Sequence, residues 1–402
     1  MINFAKYSLL AYLLLKPFYI FSSGGLQLAD AFLLLAFALL FVSAWHIPAE
    51  RKRLFGVFQE HRLFVIFVAC TIIINTLYAF MYPDFTFMLS SLYFVFNLLA
   101  IVVFAVCLKD RKFLQNVGTV FKFNMLLQLG IWAAGIGRLY SADRYMGTFN
   151  DPNQFGYYIL LSLLFIYVID VILKKKRTYI YYIVALFLIL ESGSTGMLFG
   201  IGTFSVLIAI LAIKKQLESP YTLLRRIMYS VAVVVVLAVP LSVIVFSSFG
   251  TPQERAQSVS EQGSIFSRLD EKTDKVSGDA DMSIIEDRHL DIITEYPHYV
   301  LYGSGEGALK RFNRAAYPGE IHSTFPSVLF YYGMVPFIIL MGWIYSQLKN
   351  VKWNIMIACL SLFAVSFILL NQRQALFWAL IVLVAMTALP KATAIRPKRG
   401  QI

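Results

Sequence analysis

The 402-residue chain is 59% hydrophobic and 14% charged, with a mean hydropathy of +0.69 and a formal net charge of +12. Soluble domains carry roughly 25% charged residues, so this composition excludes a soluble globular domain and points to a polytopic membrane protein. The excess positive charge sits in short loops between apolar runs, which excludes a nucleic-acid footprint.

Runs of about 20 residues, the length a helix needs to cross the hydrocarbon core, occupy 4–22, 26–46, 63–83, 88–108, 114–134, 154–173, 178–192, 195–213, 227–249, 324–347, 353–371 and 374–389. They predict an all-α fold of about twelve transmembrane helices, because a lipid-exposed backbone has to satisfy its own hydrogen bonds. The seventh run is short and the break at 191–195 is tight, so runs seven and eight read equally well as one helix broken in mid-membrane. Lys16 and Pro17 interrupt the first run and no small-residue cleavage site follows, so no cleavable signal peptide is expected.

With the N-terminus placed inside, alternate loops collect Lys6, Arg51, Lys52, Arg53, Arg62, Lys109, Arg111, Lys112, the run 174–177, Lys214, Lys215, Arg225, Arg226, Lys349, Lys352 and four cations in the tail. These are 22 of the 35 basic residues, against four acids (Glu50, Glu60, Asp110, Glu218) in the same loops. The positive-inside rule then puts both termini in the cytoplasm. Residues 1–134 form N-terminal helices, 135–249 a region with the first outer motif loop, 250–323 a large outer loop, and 324–402 the C-terminal helices and basic tail. The longest inner loop, some 16 residues, leaves no room for a cytoplasmic nucleotide-binding domain. Chemistry is therefore expected on the outer face or within the membrane. Cys70, Cys107 and Cys359 all fall inside spans and read as packing residues.

The outer segments carry the informative residues. "RYMGTFNDPNQFGYY" (144–158) is a polar knot in which Asn150, Asp151 and Asn153 around Pro152 predict a turn capping the sixth helix. The large outer loop holds 8 basic and 13 acidic residues and opens on a Ser/Gln/Glu-rich part (251–280) expected to be mobile. "MSIIEDRHLDIITEYP" (282–297) then predicts a short amphipathic helix carrying Arg288 and ended by Pro297. "GSGEG" (303–307) lacks the strand–loop–helix setting of a phosphate-cradling loop and predicts a tight turn with close backbone approach.

Arg138, Arg144, Arg288, Lys310, Arg311, Arg314 and Arg373 are the outer-face cations outside the mobile part. Guanidinium groups hold phosphate bidentately and stay charged, so such a cluster suits a lipid-linked diphosphate; snorkelling to headgroups is the alternative for any one of them. His322, two residues before the tenth span, is placed to act as a base; an interfacial imidazole bonded to a loop carbonyl is the alternative. His289 and His298 lack metal-ligand spacing, and no metal or cofactor is expected. Asp170 and Glu191 lie near span ends, where snorkelling accounts for them, while Asp30 and Lys122 have no place the sequence assigns.

"RYMGTFNDPNQFGYY", "LESGSTGMLFGIG", "EDRHLDIITEYPHYVLYGSGEG" and "HSTFPSVLFYYG" follow one another in an order that resembles the O-antigen ligase and O-antigen polymerase superfamily of bacterial envelope glycosyltransferases. The likeness covers about 138–345, and its most specific element is His322 with Gly333 eleven positions on. It implies a metal-independent, GT-C-like membrane glycosyltransferase of the bacterial inner membrane. The implied active site faces the periplasm and the donor is an undecaprenyl-diphosphate-linked oligosaccharide. Arg288 and a second outer Arg are implied to grip the diphosphate and His322 to assist the acceptor hydroxyl. Arg138, Arg144, Asn150, Asn153, Arg311 and Arg314 are the expected substrate contacts. Two departures stand out: Thr195 occupies "STG" where family members often carry Arg, and Met334-Val335-Pro336 follows the Gly, which leans toward a polymerase over a ligase. Membrane lipids, a chain-length regulator and a flippase are the expected partners, and nucleic acid is not. The rival readings are a ligase acting on lipid A core or protein, a transporter of lipid-linked units, and a non-catalytic subunit of an export complex.

Overall fold

A computed structural model describes residues 1–21, 26–140, 144–175, 179–217, 285, 288–312 and 319–388. The helices are α1 (Ile2–Leu15), α2 (Leu28–His46), α3 (Pro48–Glu60), α4 (Arg62–Met81), α5 (Thr86–Cys107), α6 (Arg111–Ala133), α7 (Pro152–Leu173), α8 (Ile180–Ser192) and α9 (Thr195–Leu217). After the described chain resumes come two short helices, α10 (Asp291–Glu295) and α11 (Tyr299–Tyr302), then α12 (Thr324–Tyr332), α13 (Met334–Leu348), α14 (Trp353–Ser366) and α15 (Ala375–Ala385). Among the described residues, one small antiparallel pair of strands, β1 (Arg138–Tyr140) and β2 (Arg144–Gly147), accompanies the helices. The expected run at 227–249, the expected mobile part at 251–280 and Arg314 lie outside the described residues.

Among the described residues, five helices are long and apolar enough to cross a membrane: Leu28–His46, Arg62–Met81, Thr86–Cys107, Pro152–Leu173 and Thr195–Lys214. Each agrees with its sequence expectation to within two residues at either end, because a long apolar run bounded by polar caps leaves little choice. The protein is thus largely helical and built for a membrane.

Some of the shorter helices depart from expectation, while α8 is as short as its run. α1, α8, α14 and α15 have 14, 13, 14 and 11 residues, about 16–21 Å at ~1.5 Å per residue, against ~30 Å of hydrocarbon. Pro17 has no N–H to continue α1. α8 ends on Gly193, whose φ of +58° is the left-handed cap glycine supplies; runs seven and eight are therefore two helices with a sharp break. The expected tenth span splits at Gly333 (φ +80°), where a Cβ would lie 2.7 Å from the Gly303 nitrogen. For α1 and α14 hydropathy overran the helix, because the residues beyond its end (Phe18, Ile20 and Phe21; Phe367 to Leu370) are apolar without being helical.

Loops gather at two ends of the bundle. At one end Lys6 Nζ meets Asp110 Oδ2 at 2.5 Å, Arg53 donates to the Val106 carbonyl at 2.8 Å, and Tyr167 donates to the Asn354 carbonyl at 2.5 Å. These are the basic loops. The stretch expected there as a loop between the second and third spans is instead α3, started by Pro48 at its first turn and anchored by buried Leu54 and Val57. In the middle, α15 is surrounded by α5, α7, α13 and α14, and Trp378 on it packs with Phe64 and Trp343 at ring separations of 5.0 and 5.7 Å.

The intramembrane charges left unplaced by the sequence are paired. Lys122 reaches Asp170 at 3.0 Å, and Lys16 reaches Asp30 at 2.9 Å. Asp170 is buried rather than snorkelling, and Glu191 accepts from the Trp132 indole at 3.0 Å. Breaking a buried pair strands a charge, at about 3–5 kcal/mol, while replacing both partners with apolar residues is far milder. Asp170→Ala should therefore destabilise strongly, and Lys122→Met with Asp170→Leu should recover most of the loss; unfolding in detergent measures both.

His61, at the junction of α3 and α4 outside the spans, is 1% exposed and accepts the Trp343 indole N–H on Nδ1 at 3.2 Å. Burial, helped by Lys109, pushes its pKa from 6.5 down to about 4. The unfolded chain then binds the extra proton between these values, so the stability this neutral imidazole contributes is complete above about pH 6.5 and falls toward pH 4. The loss amounts to about 3 kcal/mol on the scale of one pKa unit per ~1.4 kcal/mol. Thermal unfolding of the wild type should show this slope, and His61→Asn should flatten it.

Candidate active site

At the end opposite the basic loops, several segments unwind beyond the ends of the shorter helices. Non-helical backbone at membrane depth survives only where protein or a water-filled cavity satisfies it. Side chains do so here. Thr148 Oγ1 donates to the Pro17 carbonyl at 2.5 Å, and Gln27 Oε1 accepts from the Ile20 and Phe21 amides at 3.2 and 3.1 Å. Across the bundle Ser323 Oγ and Thr324 Oγ1 donate to the Phe367 and Leu369 carbonyls at 2.7 and 2.8 Å. Asn97 Nδ2 and the Trp378 indole both donate to the Gln372 carbonyl, at 2.7 and 2.9 Å. These bonds order one polar end of the bundle.

The polar knot forms one side of it. Asp151 caps α7 by accepting from the Asn153 and Gln154 amides at 2.8 and 3.0 Å, with Pro152 in the first turn. The capping role expected of this carboxylate is thus present. Arg144, on β2, donates through Nε to the Ser192 carbonyl and through Nη2 to Asn153 Oδ1, both at 3.1 Å. Ser194 Oγ donates to the same Asn153 oxygen at 2.9 Å. Arg144 therefore lies against the α8–α9 break, and a Cβ on Gly193 would come 3.4 Å from its Nε. Arg138 and Asn150 make a separate pair: Arg138 Nη1 donates to Asn150 Oδ1 at 2.5 Å, and Asn150 Nδ2 donates to the Phe21 carbonyl at 2.6 Å.

Arg288 and His322 form the other side. The His322 amide donates to the Arg288 carbonyl at 3.1 Å, and the Arg288 guanidinium donates through Nη1 to the Ile368 carbonyl at 2.8 Å. The His322 residue is exposed. The expected amphipathic helix at 282–297 is not continuous: Arg288 stands in a turn, His289 takes a left-handed φ of +52°, and after it the helix runs over Asp291–Glu295. That turn brings the His289 ring within 5.4 Å of the His322 ring, a proximity their sequence spacing does not reveal. No group of three or more potential metal ligands occurs among the described residues. The two sides meet through the first turn of α9, where a Cβ on Gly196 would lie 3.2 Å from Leu369.

The residues that sequence reasoning missed are Glu306 and Glu320. Arg373 donates to Glu306 Oε1 at 2.6 Å and pairs with Glu320 Oε2 at 2.9 Å. Glu306, buried in the expected tight turn, also accepts from the Tyr332 hydroxyl at 2.6 Å, and its amide donates to Asn75 Oδ1 at 2.8 Å. The turn is as close as expected, since a Cβ on Gly303 (φ +83°) would lie 2.7 Å from the Tyr331 carbonyl oxygen. The one available signal was an acid inside a glycine turn, where solvation alone gives no reason for it. Arg311 donates to the Ser304 and Gly305 carbonyls and sits over the rings of Tyr78 and Phe312 at 5.0 and 4.7 Å, which ties it to this turn. Between Lys16, Gln154, Tyr157 and Gln374 lies a cavity with room for about one water molecule.

No protein-family model matches the chain, and no curated protein is similar enough to be counted a relative.

Arg373→Ala would leave the Glu306 carboxylate, 4% exposed, without its cation. We expect a loss of about 3 kcal/mol or more. Glu320 is 36% exposed, so Glu320→Gln should cost about 1 kcal/mol or less. Thermal denaturation of the purified variants gives the ranking.

Proposed function

We propose that this protein is a membrane glycosyltransferase that polymerises lipid-linked oligosaccharides. It joins undecaprenyl-diphosphate-linked repeat units at the outer face of a bacterial inner membrane. The observation that carries the proposal is the junction of His322 with Arg288 through a backbone hydrogen bond, at the polar end away from the basic loops, where we place the substrate recess. With about twelve spans and both termini cytoplasmic, that end faces the periplasm. An acceptor sugar hydroxyl attacks the anomeric carbon of the donor, the bond from that carbon to the diphosphate oxygen breaks, and the hydroxyl proton passes to the His322 imidazole. The diphosphate leaves with its charge stabilised by Arg288 and, from the other side of the recess, Arg144. Arg144 beside the Gly193 turn takes the place of the cation missing at Thr195. Asn153, oriented by Arg144 and Ser194, is the amide offered to sugar hydroxyls. No metal or cofactor is assigned a role.

One observation favours a second reading, a transporter of the same lipid-linked units. Transporters show paired intramembrane charges and interrupted helices, and both Lys16–Asp30 and Lys122–Asp170 are such pairs. Against it, the helix interruptions gather at one end, and the chain shows no internal repeat that would divide it into two matching halves.

His322→Ala and Arg288→Ala should each lower chain elongation at least 100-fold while the protein still inserts in the membrane at normal level. Glycan length in a deletion strain carrying each variant measures this. Single capped units in the deletion strain support a polymerase, free lipid-linked polymer a ligase, and units trapped on the cytoplasmic leaflet a transporter. Long glycans made by both variants would refute the assignment.

A further inference from the structure

The outer surface around α11 carries an apolar face that the recess does not use. On α4 the residues Ile66, Ile73, Leu77 and Phe80 are all exposed, and their spacing places them on one side of the helix. On α13 Val335, Ile338 and Tyr345 do the same. α4 and α13 pack against each other, so the two stripes flank one wall. Such stripes on membrane-length apolar helices are the surface that lipid covers.

α11 lies across the top of this wall. The Tyr78 hydroxyl, near the end of α4, donates to the Gly303 carbonyl at 2.8 Å, and the Tyr78 and Tyr299 rings are 6.4 Å apart. At the start of α13, Gly333 is pressed so closely on α11 that a Cβ there would lie 2.8 Å from the Leu301 carbonyl oxygen. Between these two fixings Leu301 and Tyr302 are 67% and 56% exposed, level with Phe80 (83%) and Val335 (64%) at the ends of the two stripes. An apolar side chain next to a tyrosine at the end of a lipid-facing wall is the composition of the membrane–water interface.

We propose that α11 is an in-plane anchor: Leu301 and Tyr302 insert into the outer leaflet at headgroup depth and tie the outer loop to the bilayer beside the recess. The occupant is the phospholipid surface, because Leu301 and Tyr302 stand at the ends of the exposed apolar stripes of α4 and α13. The inference is independent of the glycosyltransferase assignment.

The test places a fluorophore on Leu301→Cys in a Cys70→Ala background, where Cys107 and Cys359 are buried and escape labelling. The full-length protein is reconstituted in phosphatidylethanolamine–phosphatidylglycerol vesicles. A spin label at the top of the lipid acyl chain should quench the probe at least two-fold more than one near the chain end. Iodide in the buffer should quench it less than half as much as a probe on Lys310→Cys, an exposed position of the same loop. Strong iodide quenching without lipid quenching would overturn the proposal by showing a water-facing patch. Protection from both quenchers would also overturn it, since another segment or a second copy would then cover α11.

Discussion

A peptide carbonyl or N–H left unpaired in hydrocarbon costs several kcal/mol, and that penalty shapes one end of this bundle. Four apolar helices are only about 16–21 Å long, against ~30 Å of hydrocarbon, so the backbone beyond their ends needs partners that the helices do not supply. Thr148, Gln27, Ser323, Thr324 and Asn97 pair the backbone groups thus released. The same bonds fix the segments on which Arg144, Arg288 and His322 stand. Solving the backbone problem and positioning a polar site are therefore one structural event.

Charge is arranged to match. Lys16–Asp30 and Lys122–Asp170 are one-to-one pairs within the helices and add no net charge to the interior. Arg373 with Glu306 and Glu320 is a triad of one cation and two carboxylates, and it ties the α14–α15 connection to the glycine turn and to the stretch before His322. The buried member, Glu306, is held by a tyrosine hydroxyl and a guanidinium together. A loop-borne histidine gains a fixed position from such a network without itself belonging to a helix.

How much of this the sequence disclosed follows from what hydropathy measures. It located α2, α4, α5, α7 and the start of α9 closely, because each is a long apolar run with polar ends. It overran α1 and α14 because Phe18, Ile20, Phe21 and Phe367 are apolar in turns. α3 escaped notice because a charged stretch with only Leu54 and Val57 buried has no strong apolar period. The capping role of Asp151 and the tight glycine turn were legible, since both rest on local chemistry. The pairing of Arg373 with Glu306 was not, because 67 residues separate them and no local pattern records the contact. His289 fared likewise: a left-handed turn, not a helix, carries it to His322.

The central claim is that His322 opens to water in a recess on the face opposite the basic loops. Its most direct test is reaction of His322→Cys, in a Cys70→Ala background, with a charged thiol reagent that does not cross membranes, added to right-side-out vesicles. Lys352→Cys, exposed at the basic end, is the counterpart. The account predicts fast labelling of position 322 in sealed vesicles and labelling of position 352 only after they are permeabilised. Labelling in the reverse order, or a position 322 that stays unreactive from both sides, would contradict it.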